Sequence, residues 1–360
     1  MRGARAAGEI DPAGGVPRIP GVSRDSREER EPAPDAEAGL RIRLFDADRT
    51  DRSLTLEEAV SEKVSARQLI WIDVEGELEN EQRKAIVERF ELDKATDRAL
   101  AESGNRPQAQ LHGEHFHIRV AAEPDAGHLE RVNWVDIVAG PNVVISRHGE
   151  PLELLGAMHT RIAEDATIGE LDSAEFVASL LDGIVTTYHA AIDRIEDELD
   201  EFDTRALARP RADEMFAELV AIRRRVGRLR RLLAAHRELF GSVGARDFGR
   251  GISSADPEVF VPVTSRFESA LVSVESTRAA VVGSFDIVMT RTAQRTTNVM
   301  RTLTLATVMA LPATVTAGLL GMNVIVPANK DDPMAFWLIL GLIGLFEVVV
   351  LGLARFRRWI

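Results

Sequence analysis

The feature that most constrains this 360-residue chain is a run without charge. Thr302–Asn329 spans 28 residues and contains no Asp, Glu, Lys or Arg. About 20 apolar residues suffice to cross a bilayer. A second apolar stretch, Met334–Ala354, is interrupted only by Glu347. Both lie near the C-terminal end, which is not where a secretory signal sits. A long segment that water cannot stabilise in isolation must be buried in protein or in lipid. Two of them in succession, joined by a short polar stretch, predict a pair of membrane spans.

The rest of the chain has a different character. From Arg301 onward there are five basic and three acidic residues, so the first 300 hold 39 basic and 54 acidic ones. Such an acidic body is a poor ligand for a phosphate backbone, which argues against nucleic acid as a partner. Cysteine is absent, which excludes a disulfide scaffold, a thiol nucleophile and cysteine-ligated metal. No phosphate loop, nucleophile elbow or dinucleotide fingerprint occurs, so nothing points to an enzyme.

Periodicity divides the acidic body. Residues 1–38, rich in Ala, Gly, Pro, Arg and Glu, lack an apolar period and predict a disordered tail. Residues 39–165 predict an α/β domain, part of an α+β fold with a mixed sheet and flanking helices. Its strands are expected at Leu40–Phe45, Leu69–Val74, His115–Ala121, Trp134–Ala139 and Asn142–Ser146, with a helix at Glu79–Phe90. Residues 166–256 predict a helical hairpin, opening on Asp172-Ser-Ala-Glu175 as a capping sequence. Residues 257–301 predict a stalk helix that continues into a first span at 302–323. An outer loop at 324–333, a second span at 334–354 and a basic tail at 355–360 complete the order. A single helix from the stalk through the first span would be about 90 Å long.

Charge also sets the expected topology. The tail carries Arg355, Arg357 and Arg358, which the positive-inside rule puts in the cytoplasm. Two spans then put the N-terminal body there too, with Lys330, Asp331 and Asp332 outside. Trp337 and Trp359 stand where interfacial aromatics are expected. Two spans cannot enclose a watery path, so transport would require a homo-oligomer.

The first span ends on Gly321-Met322-Asn323, preceded by Leu311-Pro-Ala-Thr-Val-Thr-Ala-Gly-Leu-Leu320 and, further back, by Met300-Arg-Thr-Leu-Thr304. With these residues and the basic tail, the sequence resembles the CorA family of divalent-cation channels. Trp71-Ile-Asp-Val-Glu-Gly76, Arg106-Pro107 and Val135–His148 resemble that family's cytoplasmic domain, so the likeness covers roughly residues 65–360. It implies a pentamer in the plasma (inner) membrane with both termini cytoplasmic, Gly321, Met322 and Asn323 as selectivity filter, and Mg²⁺ as substrate. It also implies closure by cytosolic Mg²⁺ bound between subunits, for which the sequence identifies no ligands. No other cofactor is expected.

The chemistry agrees with that expectation. Mg²⁺ sheds water reluctantly, so a fast pore should hold the hydrated ion through neutral oxygens. A ring of Asn323 side chains and Gly321 carbonyls would supply them. A plain helix stop at Gly and Asn is the structural alternative. Followed back from the filter at 3.6 residues per turn, Gly318, Thr314, Leu311, Thr307, Leu303, Met300, Thr297 and Asp286 fall on one helical face. The small and hydroxyl residues suit a polar pore, Leu303 and Met300 a gate that closes by dewetting, and Asp286 a ring that concentrates cations. Stalk packing is the other reading for Met300 and Leu303, a solvated charge for Asp286.

The sequence also departs from the family. Leu320 stands where an aromatic usually precedes the filter, and Val324–Asp332 replaces the usual Met-Pro-Glu-Leu loop. Asp331 and Asp332 are then candidates for outer-loop ion attraction. Thr297 occupies the place of the family's pore Asn near the membrane, with Asn298 one residue away. These departures leave Zn²⁺, Co²⁺ or Ni²⁺ as alternative substrates. A non-conducting membrane-anchored scaffold or sensor is the rival of another class.

Three further features invite a role. Glu347 lies inside the second span, where a packing or assembly role or ion contact is expected. Asp193–Asp203 carries seven acids in 11 residues, and Arg223, Arg224, Arg225, Arg228, Arg230 and Arg231 follow on the next helix, predicting a salt-bridged hairpin. His112, His115 and His117 beside Glu114 have the look of a metal cluster, although edge-strand histidines are the simpler reading.

Overall fold

In a computed structural model, residues 39–46, 51–65, 67–102, 104–122, 124, 132–164, 172–208, 212–245, 248, 258–321 and 333–357 are described. The expected tail at 1–38 and residues 324–332 of the expected outer loop at 324–333 lie outside them, as do Met322, Asn323, Arg358 and Trp359. The elements run β1 (Leu40–Asp46), β2 (Arg52–Leu54), α1 (Leu56–Ser61), β3 (Gln68–Glu75), α2 (Asn80–Arg89), α3 (Lys94–Ala101), β4 (Gln108–His112), β5 (His115–Ala122), β6 (Asn133–Gly140), β7 (Val143–His148), α4 (Glu153–Glu164), α5 (Ser173–Ala208), α6 (Ala212–Val243), α7 (Val261–Gly321) and α8 (Pro333–Phe356).

The strands form one sheet in the order β2-β1-β3-β7-β6-β5-β4. Only β3 and β7 pair in parallel, so the sheet is mixed. Alternation along each strand sorts its residues between two cores. Ile42, Leu44, Ile70, Ile72 and Ile145 pack with Ile86, Leu92 and Leu100 from the α2–α3 side. Phe45, Trp71, Phe116, Ile118, Val135 and Val144 pack with α5, α6 and α7 on the other. Both faces are covered, which explains why the central strands read as near-continuous apolar runs. Gly39 opens β1 at φ +96, and a Cβ there would lie 2.5 Å from the Glu75 carbonyl oxygen, so the position requires glycine.

A buried polar network ties the middle of the sheet to α4. Asp73 accepts from Ser146 Oγ (2.6 Å) and His159 Nε2 (2.9 Å), and Trp71 Nε1 donates to Ser146 Oγ (2.9 Å). His148 Nε2 lies 3.3 Å from Asp73 and off the line of a well-aligned hydrogen bond, so its contact is chiefly electrostatic. Burial pushes the Asp73 carboxyl up, but the contacts from His148, His159 and Ser146 outweigh it and hold it well below the usual carboxylate range. Burial lowers both imidazoles. The Asp73 contact overcompensates at His148, which titrates above an ordinary histidine, and falls short at His159, which titrates below.

The sheet docks on the helices through a backbone clamp. β4 pairs with β5 only as far as Arg119, which leaves the outward amide and carbonyl of Ala121 without a strand partner. Tyr188 of α5 donates its hydroxyl to the Ala121 carbonyl, and the Ala121 amide donates to His236 Nε2 of α6 at 2.9 Å. His236 Nδ1 donates to the Leu232 carbonyl at 2.7 Å, which fixes a neutral tautomer. Burial drives its pKa down to about 4.

The capping sequence at α5 forms reciprocally. The Glu175 amide donates to Asp172 Oδ1 (2.9 Å), and the Asp172 amide to Glu175 Oε2 (3.3 Å). The acid–base hairpin forms only in part. Glu198–Arg225 and Arg205–Glu218 join α5 to α6. Arg230 instead reaches Glu275 of α7, and Glu196 and Asp203 accept from Thr277 and Ser284 of α7. The expected rows of acid against base are thus replaced by contacts that bind both helices to α7.

Candidate functional site

Helix α7 runs unbroken for 61 residues, through Pro312, and joins the helical body to the apolar C-terminal part. Pro312 has no N–H to give to the Val308 carbonyl, yet flanking hydrogen bonds carry the helix past it. Near its start the helix is anchored by Phe267, Val274, Val281 and Val288, all buried against α5 and α6. Beyond Val288 none of the apolar residues of α7 whose burial is described is fully buried. Among the described residues two helices are long and apolar enough to cross a membrane: α7, through its C-terminal part, and α8 over Trp337–Phe356.

Asp286, Thr297, Met300, Leu303, Thr307, Leu311, Thr314, Gly318 and Gly321 all lie on α7 and are all exposed. At 3.6 residues per turn they fall within an arc of about 120°. Met300, Leu303 and Leu311 are 58%, 60% and 59% exposed, values that water would penalise in a lone chain. The opposite side of α7 is where α8 packs. Leu305, Met309, Pro312, Ala313 and Thr316 are partly covered there. The predicted face is therefore the one that the chain's own second span leaves open.

The hydroxyl groups on this face have a defined polarity. Thr297 donates to the Ala293 carbonyl (3.0 Å), Thr307 to Leu303 (2.9 Å) and Thr314 to Ala310 (2.8 Å). With each proton spent on the backbone, the Oγ lone pairs are the part left to face outward. A row of acceptor oxygens suits water around a cation. Gly318 and Gly321 have no atom within 4 Å of where a Cβ would stand, so this end of the face is open.

Glu347 belongs to the stripe Ile339, Ile343, Glu347, Val350 and Ala354, the more covered side of α8. Val350 and Ala354 meet Thr304, Leu305 and Val308 of α7 across a small gap. Glu347 thus lies on the partly covered side of α8.

The histidine cluster does not gather as a metal site. His117 is held by Asp136 (2.7 Å) and Gln108 (3.2 Å), and His112 lies 3.5 Å from Asp93. β5 is an interior strand, not an edge, so the edge-strand reading of His115 and His117 is corrected as well. Among the described residues no group of three His, Asp or Glu side chains could hold a metal ion. Sequence reasoning missed Tyr188 and His236 as a pair. The chain's lone tyrosine amid aliphatic positions of α5 was the available signal.

The profile of the family described as "CorA-like Mg2+ transporter protein" matches residues 66–358. The chain belongs to that family. CorA-like proteins are ion transporters, not enzymes, and are membrane proteins with two apolar C-terminal helices, a pair that this chain also carries. It is 23% identical over 227 residues to the cobalt/magnesium transport protein CorA of Thermotoga maritima, covering 63% of this chain and 64% of that one. It is 26% identical over 224 residues to the divalent cation transporter CmaX of Pseudomonas aeruginosa, covering 62% and 64%. The alignments thus span just under two thirds of both relatives. Among solved structures, the CorA magnesium transporter of Methanocaldococcus jannaschii superposes with a TM-score of 0.68 at 19% identity, covering 89% of this chain and 98% of that one. Full-length CmaX gives 0.65 at 21%, covering 91% and 99%. These likenesses extend the CorA fold to nearly the whole chain.

Proposed function

We propose that this chain forms a homo-oligomeric channel for divalent cations, with Mg²⁺ entering the cytoplasm as the hydrated ion. The observation that carries the reading is the open face of α7. Nine positions chosen from sequence lie together there, opposite the side that α8 covers. One copy of such a face lines nothing; a ring of copies turned inward encloses a path. Asn323 and Gly321 would ring its outer end, Thr314 and Thr307 would offer acceptor oxygens, Leu303 and Met300 would form the dry constriction, and Asp286 would draw cations at the cytoplasmic end. Asp331 and Asp332 would attract cations outside.

The positive-inside rule supports a plasma-membrane protein with both termini cytoplasmic, from Arg355 and Arg357 at the end of α8. No ATP site is needed. A membrane potential of 100 mV, inside negative, supplies about 4.6 kcal/mol for a divalent ion.

The relatives are named for cobalt with magnesium and for divalent cations generally. Together with Leu320 and the altered outer loop, this keeps Zn²⁺, Co²⁺ and Ni²⁺ in contention. The deciding experiment is competitive entry of Mg²⁺, Zn²⁺, Co²⁺ and Ni²⁺ into liposomes holding the purified full-length protein. Mg²⁺ entry that the others compete with weakly supports the proposal. Zn²⁺ entry without Mg²⁺ keeps the channel and changes its substrate. No entry of any ion from folded, oligomeric protein favours the scaffold.

A further inference from the structure

Helices α5 and α6 carry opposite charge on their outward faces. On α5, Asp193, Asp197, Asp200 and Glu201 are exposed and fall along one stripe. On α6, Arg223, Arg224 and Arg231 are exposed and line a groove of about 490 Å³ with Val220, Gly227 and Arg228. Asp193, Asp197, Asp200, Glu201, Arg223, Arg224 and Arg231 make no ion pair among the described residues. The floor of the groove is Gly227, in the middle of a 32-residue helix. A Cβ there would meet only Arg231 Nη1, at an ordinary 3.7 Å. Packing within the chain therefore does not require glycine, although glycine weakens a helix interior relative to alanine.

The two stripes lie at the same level. Glu198 pairs with Arg225 and Arg205 with Glu218, so seven residues forward on α5 are seven residues back on α6. In that constant antiparallel register Asp200 is level with Arg223. Asp193 is level with Arg230, next to Arg231, and Asp197 is level with Val226, next to Gly227. α7 packs along both helices while they touch each other only sparsely, and the internal pairs use the sides of α5 and α6 that face one another. The charged stripes are left pointing outward.

Subunits of a cyclic oligomer are related by rotation alone, without displacement along the axis. Surfaces at the same level on two sides of one subunit can therefore meet between neighbouring copies without a shift along the axis. We propose that the arginine groove of α6 receives the acidic stripe of α5 from the adjacent copy, giving a heterologous, ring-closing contact in the cytoplasmic body. This rests on the homo-oligomeric reading above and adds to it which surfaces meet. A free polyphosphate would also suit four arginines. It would not account for an acidic stripe of equal length at equal height on the same chain.

The absence of cysteine makes the test direct. The full-length double variant Asp200→Cys/Arg223→Cys, reconstituted in liposomes, is treated with a short bis-maleimide and run on a denaturing gel. The expected result is a ladder of linked subunits, absent from either single-cysteine variant. A second arm reverses charge. Arg224→Glu/Arg231→Glu should weaken subunit association roughly tenfold or more, and adding Asp193→Arg/Asp200→Arg to the same chain should restore it. A preparation that light scattering shows to be oligomeric but that yields no linked subunits overturns this contact and leaves the channel reading standing. A wild-type chain that is monomeric in the bilayer overturns both. Protection of a lone Arg223→Cys thiol by inorganic polyphosphate, with no linkage in the double variant, assigns the groove to an anion and refutes the proposal.

Discussion

Replacing His236 with glutamine should flatten the acid sensitivity of the folded body. In the fold His236 is neutral, because its Nε2 accepts the Ala121 amide and its Nδ1–H is given to Leu232. An imidazolium has no lone pair to accept that amide. The pKa falls from 6.5 to about 4. A base whose folded pKa is depressed lends its stabilisation above the unfolded value and loses it as pH falls toward the folded one. At about pH 7.5 the contribution is intact. At about pH 4.5 the unfolded state is almost fully protonated and the folded state is not, which costs the native fold about 2.5 kcal/mol. The glutamine of the variant would not titrate, so every other acid effect cancels in the comparison. The assay is thermal unfolding of full-length wild type and His236→Gln in detergent at the two pH values. Wild type should be the more stable at pH 7.5, by an amount set by how well glutamine reaches Ala121. That advantage should shrink by roughly 5–10 °C at pH 4.5, since 1 kcal/mol corresponds to about 2–4 °C for a body of this size. An unchanged gap would refute a neutral, clamped His236.

Tyr188→Phe should cost about 1–3 kcal/mol in denaturant unfolding, because the buried Ala121 carbonyl loses its donor while the ring packing stays; a cost near zero would mean water replaces the hydroxyl. Leu303→Asn should raise resting Mg²⁺ leak into liposomes several-fold if the constriction closes by dewetting, whereas unchanged leak would assign Leu303 to stalk packing. Asp286→Asn should lower Mg²⁺ entry a few-fold at low ionic strength and less at high salt, and a salt-independent effect would contradict a purely electrostatic role.

The strands were legible because β-branched and aromatic residues alternate with turn residues at their ends. Leu69–Val74 became Gln68–Glu75, and Asn142–Ser146 became Val143–His148. What escaped was short or polar. β2 has three residues, β4 reads QAQLH, and α1 and α3 are six and eight residues long, too short for a helical period to repeat. α4, at 12 residues, was long enough to find but followed a Gly-Glu-Pro turn and was merged with the domain's end. The expected face of α7 was legible because 3.6 residues per turn alone puts Asp286 through Gly321 together. That α8 covers the opposite side was not, since packing between two apolar helices leaves no period that singles out a partner. The hairpin charges misled for a related reason. Composition records that acids precede arginines, but helix phase decides which of them meet, and Glu196, Asp203 and Arg230 turn to α7.

The central claim is that α7 lines a conducting path ending at Asn323. It is tested most directly by Mg²⁺ entry into liposomes holding the full-length protein under an imposed inside-negative potential, beside Asn323→Ala. The account predicts entry that rises with the potential in wild type and is lost in the variant while its oligomeric state is kept. Mg²⁺ entry of equal rate in Asn323→Ala, or none in folded wild-type oligomer, would contradict it.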